Sequence, residues 1–205
     1  MNNPFSYPRS IHKRQFAPPH SNDYRKYKPT LRLEYERKCV YCKFPDTMKE
    51  GDAFGVDHYR PKSIFPLLET EYSNLFYCCN TCNRRKGNKW LTSPLPFIPN
   101  PDDHVMFDHL RFKQDIVEPI TDAGKYTCEL LQLNHPVTTR IRRTLLTSLT
   151  ALENDLEALA KLDKAIRKQF NKGNITMAER DADLAEVEIQ RLETQAAVDA
   201  IAGRP

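Results

Sequence analysis

The 205-residue sequence contains no apolar run approaching the roughly 18 residues that a membrane-spanning helix requires. No secretory signal peptide is expected, because the residues after Met1 do not combine a basic segment with an apolar one. Internal repeats and low-complexity tracts are absent as well. With 40% hydrophobic and 28% charged residues, the composition is that of a globular protein. These features argue against membrane and secreted proteins and predict a cytoplasmic one.

Proline is missing from residues 137–204, whereas twelve of the 15 prolines lie in residues 1–101. Since proline interrupts helices and marks turns, this distribution separates a loop-rich front from a helical back. We therefore expect an extended, basic, proline-rich arm over residues 1–30, which wraps a neighbour or lies on nucleic acid. A compact α+β domain over residues 31–136 follows, and then a helical segment over residues 137–205.

The helical segment begins with apolar residues spaced mostly three or four apart, from Val137 to Phe170. This is the period of one helix face, so the spacing predicts a single long amphipathic helix. Either Gly173 or Asn174 suits the left-handed cap that ends such a helix.

A second helix is predicted to begin at Thr176 and to continue to about Ile201. Thr176 and Glu179 fit a capping box, in which each side chain satisfies the other's free backbone amide. The two helices should form an antiparallel hairpin. Such a hairpin either packs on its own domain or provides a surface for a partner or for self-association, and its length favours association.

Charge is distributed unevenly along the chain. Residues 1–90 hold 17 Lys and Arg against 9 Asp and Glu, whereas residues 91–205 hold 14 against 18. A basic front half is expected of a protein that binds a polyanion, although many solvated surfaces are basic too.

Four of the six cysteines form two C-x-x-C pairs, with 36 residues between the pairs. In a reducing compartment such pairs are typical of metal sites rather than disulfides. Four thiolates make a closed tetrahedral set, which predicts a structural Zn2+. Cys78 could replace Cys79 as a ligand, but Cys79 has the two-residue spacing, so Cys78 and Cys128 are assigned to packing. The predicted ligands are Cys39, Cys42, Cys79 and Cys82.

Between the two pairs, and just after them, lie polar residues in a recognisable order. Asp57 and His58 are adjacent, Asn74 follows 16 residues after His58, and Asn83 follows 9 residues after Asn74. With the flanking cysteines, this order resembles the HNH, or ββα-metal, nuclease family. The resemblance implies a fold of two strands and a short helix around one divalent ion.

The family's residue roles can be carried over position by position. The resemblance implies that Asp57 and Asn83 hold the ion, that His58 is the general base, and that Asn74 braces the loop between the strands. Some members have histidine where this chain has Asn83. Hard oxygen ligands suit Mg2+ or Mn2+, and a histidine with a pKa near ~6.5 can take a proton from water near neutral pH.

Basic residues flank this motif and are candidates for contact with nucleic acid. Two follow the base closely, and three lie on the expected short helix, where Lys86 could steady a phosphate and the arginines could equally be solvated surface. The candidates are Arg60, Lys62, Arg84, Arg85 and Lys86.

Further segments resemble the PtuB-type nucleases of bacterial antiphage defence, found in Septu systems and beside some retrons. These segments are residues 25–32, 58–63, 100–104 and 131–134, and the similarity covers about residues 15–145. It implies a nuclease of the bacterial cytoplasm that works with a PtuA-like, SMC/ABC-type ATPase.

The sequence thus predicts an α+β protein: an HNH nuclease core stapled by a four-cysteine zinc site, with a C-terminal helical hairpin through which it could form a homo-oligomer. DNA is favoured over RNA as the substrate, although no element is expected to read base edges. Open alternatives are a non-catalytic, zinc-dependent nucleic-acid binder, an HNH nuclease outside defence, and an interaction protein centred on the hairpin. His104 and His109 are expected in a surface loop rather than in a second metal site.

Overall fold

The computed structural model describes residues 3–48, 54–92 and 95–204. Within these ranges six α-helices and four strands form the fold, together with short 3-10 turns. The helices are α1 (Lys28–Glu34), α2 (Asn80–Lys86), α3 (Met106–His109), α4 (Asp122–Leu130), α5 (Pro136–Asn171) and α6 (Met177–Ala202). The strands are β1 (Phe54–His58), β2 (Leu75–Cys79), β3 (Leu110–Lys113) and β4 (Ile116–Pro119). The mixed α+β class is therefore confirmed.

A two-stranded antiparallel hairpin and the helix after it form the centre of the front domain. In the hairpin Asp57 of β1 lies opposite Phe76 of β2, and His58 lies opposite Leu75. All five residues of β2 are buried, and α2 follows without a break because Cys79 both ends the strand and caps the helix. This β1–β2–α2 order is the expected ββα arrangement.

The N-terminal arm packs on its own domain. Residues 3–23 contain no helix or strand, yet Phe5 and Tyr7 are buried in the main core. Phe5 meets Phe44 with ring centroids 5.2 Å apart, and Tyr7 stacks on Phe112 at 5.0 Å. Burial of these two aromatic residues thus fixes the start of the arm on the front domain, and a contact of the arm with a neighbour or with nucleic acid stays a prediction.

A buried arginine joins the start of α5 to the front domain. The Arg142 guanidinium donates to the backbone carbonyls of Asp115, in the β3–β4 turn, and of Leu133. It also lies over the Phe112 ring, 5.3 Å from the centroid. Because an uncompensated buried cation is costly, the hydrogen bonds to these two carbonyls tie the long helix to the domain.

The two long helices form the predicted hairpin. The capping box at Thr176 and Glu179 is present, and Gly173 has the left-handed conformation with φ +74°. At the end near the front domain, Leu149 of α5 packs with residues of α6, and Thr47 donates to the Ala200 carbonyl at 2.6 Å. The hairpin therefore packs on its own domain at this end.

Farther from the domain, the hairpin exposes Leu162, Ile189 and Leu192. None of the helices in the described residues is long and apolar enough to cross a membrane.

Candidate active site

Four buried cysteines meet where the two C-x-x-C pairs come together. Their sulfur atoms all lie within 4.8 Å of one another, with Cys42 and Cys79 3.7 Å apart. A tetrahedral Zn2+ with Zn–S bonds of about 2.3 Å places its sulfurs about 3.8 Å apart, so the geometry fits this ion. In the described part of the chain, these four form the one group of three or more His, Cys, Asp or Glu side chains close enough to share a metal.

The structure decides between Cys78 and Cys79. Cys79 belongs to the four-cysteine group, whereas the Cys78 thiol contacts the Cys79 carbonyl at 3.3 Å and lies 3.9 Å from the sulfur of Cys39. Cys128 is buried elsewhere, against Asn134. Both residues are thus packing residues, as predicted.

Asp57 lies inside the domain and accepts two hydrogen bonds. Successive side chains of β1 face opposite sides, so Asp57 points inward and is 2% exposed, whereas His58 is only half-buried. The Tyr41 hydroxyl donates to Oδ2 at 2.6 Å, and Lys86 Nζ donates to Oδ1 at 3.0 Å. The carboxylate is therefore held by a neutral donor on one oxygen and a cation on the other.

His58 is oriented by the loop between the strands. Its Nε2 lies 2.9 Å from the backbone carbonyl of Glu69, which can only accept, so Nε2 carries the proton and Nδ1 has a free lone pair. The Tyr24 ring meets the imidazole edge to face, with centroids 4.6 Å apart. Burial lowers the pKa of His58, because it disfavours the charged imidazolium. The side chain is thus a neutral base near pH 7.

Asn74 braces the same loop from within. Its Oδ1 accepts the Arg60 amide at 2.9 Å, while Nδ2 donates to the carbonyls of Arg60 at 3.0 Å and Leu68 at 3.1 Å. These are backbone hydrogen bonds of the kind that the family resemblance implies for this asparagine. Together these hydrogen bonds join the two ends of the loop between β1 and β2, which carries Glu69.

Asn83 stands on α2 beside β1. Its Nδ2 lies 3.5 Å from the Val56 carbonyl, which directs the amide toward the strand that carries Asp57. Each Asp57 oxygen accepts one hydrogen bond and keeps a second lone pair, and the Asn83 amide offers an oxygen as well. This donor set fits a hard divalent cation such as Mg2+ or Mn2+. The neighbouring Lys86 ammonium makes it a weak site, since like charges repel.

Some of the candidate nucleic-acid contacts are exposed, whereas others are hydrogen-bonded within the domain. Arg60 and Arg84 are exposed, and Lys62 is exposed while pairing with Glu69 at 2.7 Å. Arg85 instead donates to the Leu131 carbonyl at 2.9 Å.

Lys86 requires a correction, because the structure does not place it where it could steady a phosphate. It is 1% exposed and forms the ion pair with Asp57. It also donates to the His58 carbonyl at 2.6 Å, which fixes the end of β1. Its positive charge is thus paired with Asp57 inside the domain.

Sequence reasoning missed three residues that contact the side chains of Asp57 and His58. Tyr24 and Glu69 carry no pattern that marks them as partners of His58. Tyr41 offers one signal, since it lies between the cysteines of the first pair and so had to be near the metal site. Of the two histidines expected in a surface loop, His104 lies in the loop before α3, whereas His109 is the last residue of α3. Their rings are 5.3 Å apart, and His109 Nδ1 lies 2.7 Å from the Thr121 hydroxyl oxygen.

Comparison with known proteins agrees with this geometry. Residues 39–89 match the family model described as HNH endonuclease. The chain is 30% identical over 115 residues to the Septu protein PtuB of Bacillus thuringiensis, an alignment that covers 52% of this chain and 42% of that protein. The chain thus spans less than half the length of this relative. No solved structure matches significantly. The predicted resemblance is confirmed: the chain carries an HNH endonuclease domain over residues 39–89 and is similar to the PtuB protein.

Proposed function

We propose that this protein is a metal-dependent endonuclease that hydrolyses phosphodiester bonds of nucleic acid, with DNA favoured over RNA. The observation that carries the proposal is the hydrogen bond from His58 Nε2 to the Glu69 carbonyl, which leaves Nδ1 as an oriented, neutral base. A general base of this kind contributes roughly 10²- to 10⁴-fold to hydrolysis. The HNH match over residues 39–89 supports the same activity.

In the proposed mechanism His58 Nδ1 takes a proton from the attacking water. Asn74 keeps the loop closed, so that the imidazole stays in one orientation. Asp57 and Asn83 would hold Mg2+ or Mn2+, which supplies positive charge against the negative charge that develops on the phosphate. Exposed Arg60 and Lys62 lie close to His58 in sequence and would bind the nucleic-acid backbone beside the cleaved bond. The four-cysteine site holds a structural Zn2+.

Cleavage of supercoiled plasmid and of bulk RNA, with Mg2+ or Mn2+ and with EDTA as a control, tests the activity. We expect His58→Ala to lower cleavage at least about 100-fold, because the base is lost. His109→Ala, a histidine of α3, should cleave like the wild type. Full activity of His58→Ala would contradict the proposal.

A second candidate function is non-catalytic binding of nucleic acid. The observation that favours it is the ion pair of Asp57 with Lys86, which occupies the predicted metal-ligating carboxylate. Under this alternative the protein binds nucleic acid without cutting it under any metal condition, and His58→Ala changes neither property. Under the nuclease proposal, His58→Ala lowers cleavage at least about 100-fold and leaves binding of nucleic acid largely intact.

We further propose that the protein is the effector nuclease of a bacterial antiphage defence complex, in the cytoplasm, together with a PtuA-like ATPase. The similarity to a protein named Septu protein PtuB supports this role. Cleavage measured with and without such an ATPase and its nucleotide tests the partnership, and identical activity in both would argue against it. The helical hairpin exposes apolar residues that are candidates for contact with the ATPase or with a second copy of the chain: Leu162, Ile189 and Leu192. Light scattering of the purified chain would detect self-association.

A further inference from the structure

Tyr41 links the four-cysteine site to the carboxylate of the candidate active site. We propose that the Tyr41 hydroxyl positions Asp57 for the catalytic divalent ion, so that the zinc-bound loop sets the affinity of the second metal site. Tyr41 is a positioning residue here, since it acts through Asp57. The proposal rests on the proposed function and names a residue that controls the same site.

The Tyr41 ring has little freedom to move. It lies between Cys39 and Cys42 in the first C-x-x-C pair and is 1% exposed. The preceding residue, Val40, donates its amide to the Tyr77 carbonyl of β2 at 2.9 Å, and the Tyr7 hydroxyl donates to the Tyr41 carbonyl at 2.6 Å. The two cysteines, β2 and the N-terminal arm therefore determine where the Tyr41 hydroxyl lies.

The hydroxyl in turn limits how Asp57 can turn. With Oδ2 held by Tyr41 at 2.6 Å, only Oδ1 is bonded to Lys86, at 3.0 Å. Without the hydroxyl, Oδ2 would be a buried acceptor with no donor of that kind, and both oxygens could turn to the ammonium of Lys86. A divalent ion would then compete with a stronger ion pair. Loss of the hydroxyl should therefore weaken binding of the ion.

A purely structural role for Tyr41 makes a different prediction. Loss of a buried hydroxyl lowers stability in either case, so stability alone does not distinguish the two roles. Tyr59 offers a matched control, because its hydroxyl is also buried and donates at 2.6 Å, but to the backbone carbonyl of Ile98. Only the positioning role lets Tyr41→Phe change metal affinity while Tyr59→Phe does not.

The experiment is a titration of the zinc-bound full chain with Mn2+, in which binding is measured by calorimetry and by the electron paramagnetic resonance signal of free Mn2+. The variants are Tyr41→Phe, Tyr59→Phe and Asn83→Ala, with zinc content and circular dichroism as checks of folding. We expect Tyr41→Phe to weaken Mn2+ binding about tenfold or more, since hydrogen bonds to charged groups are the stronger ones. Tyr59→Phe should bind like the wild type. If Tyr41→Phe fails to fold, Tyr7→Phe loosens the Tyr41 backbone and should also weaken binding.

The outcomes separate the two hypotheses. Unchanged affinity in a folded Tyr41→Phe, or in Tyr7→Phe where that variant replaces it, with binding lost in Asn83→Ala, overturns the role of Tyr41 and leaves the nuclease site standing. Equal weakening in Tyr41→Phe and Tyr59→Phe also overturns it, since a general loss of packing would then explain the effect. Wild-type affinity in Asn83→Ala removes the metal site on which both proposals rest.

Discussion

Lys86 Nζ lies 3.0 Å from Oδ1 of Asp57, and both side chains are 2% exposed. A buried ion pair is weak evidence for stability as a whole, but removal of one partner leaves an unpaired charge in a low-dielectric interior. The pair connects the last turn of α2 to the end of β1, and so holds together the unit that carries His58.

Lys86→Met should therefore destabilise the protein by roughly 3–5 kcal/mol, because Asp57 loses its buried counter-ion. Chemical denaturation of the zinc-bound chain measures this change. Lys89→Met, at an exposed position three residues later, should have little effect. Recovery of part of the loss in the double variant Asp57→Asn/Lys86→Met would assign the effect to the unpaired charge, whereas simple additivity would contradict this explanation.

Cys82→Ser should lower the bound zinc and destabilise the front domain, because three thiolates cannot complete the tetrahedral set. Metal analysis of the purified protein and thermal unfolding measure both effects, and we expect about one zinc per chain in the wild type. Cys128→Ala is the matched control, since Cys128 is buried apart from the cluster. Equal zinc content in Cys82→Ser and the wild type would exclude this ligand set.

Asp46 should make stability depend on pH in the acidic range. Burial alone raises the pKa of Asp46, but hydrogen bonds from Arg32 and Tyr77 outweigh it and lower the pKa overall. The folded pKa thus lies below the unfolded one. The stabilising contribution is complete above the ordinary carboxyl pKa of about 3.9, and is lost as the pH falls through the folded pKa.

Denaturation of the wild type and of Asp46→Asn, at pH 7 and at progressively lower pH, measures this contribution. We expect the stability difference between them to be largest at pH 7 and to shrink toward pH 3. Asp155→Asn, at an exposed position of α5, should match the wild type throughout. A difference that stays constant with pH would show that Asp46 acts through packing.

Glu34→Gln should release the N-terminal arm. The buried Glu34 carboxylate accepts the backbone amides of Gln15 at 2.8 Å and Phe16 at 3.2 Å, and it also contacts His12 Nε2 at 3.0 Å. Loss of its charge weakens each of these bonds, so the arm should open more often. We expect tryptic cleavage after Arg14 to become about tenfold faster or more.

The control for the arm is Glu36→Gln, two residues later at an exposed position. Limited proteolysis followed by mass spectrometry identifies the cleaved bonds. Equal cleavage in the two variants would show that Glu34 does not hold the arm.

Local patterns in the chain were enough to predict several parts of the protein. The spacing of apolar residues predicted α5, and the capping box at Thr176 located the start of α6, because helix period and caps depend on residues close in sequence. The two C-x-x-C pairs predicted the four-cysteine cluster, since metal chemistry restricts both residue type and spacing. The order of His58, Asn74 and Asn83 predicted the match of residues 39–89 to the HNH endonuclease model.

Other features depend on packing between segments far apart in the chain, and no local pattern encodes them. Lys86 follows two arginines and so resembled a surface residue, yet the last turn of α2 aims it at Asp57, 29 residues earlier. Tyr41 contacts the same carboxylate from a third segment. Residues 3–23 of the N-terminal arm contain no helix or strand, and only the docking of Phe5 and Tyr7 into the core shows where they lie. These contacts form because a buried charge requires a counter-ion or hydrogen bonds, and because burial of aromatic rings stabilises the folded chain. The fold determines which residues are close enough to provide them.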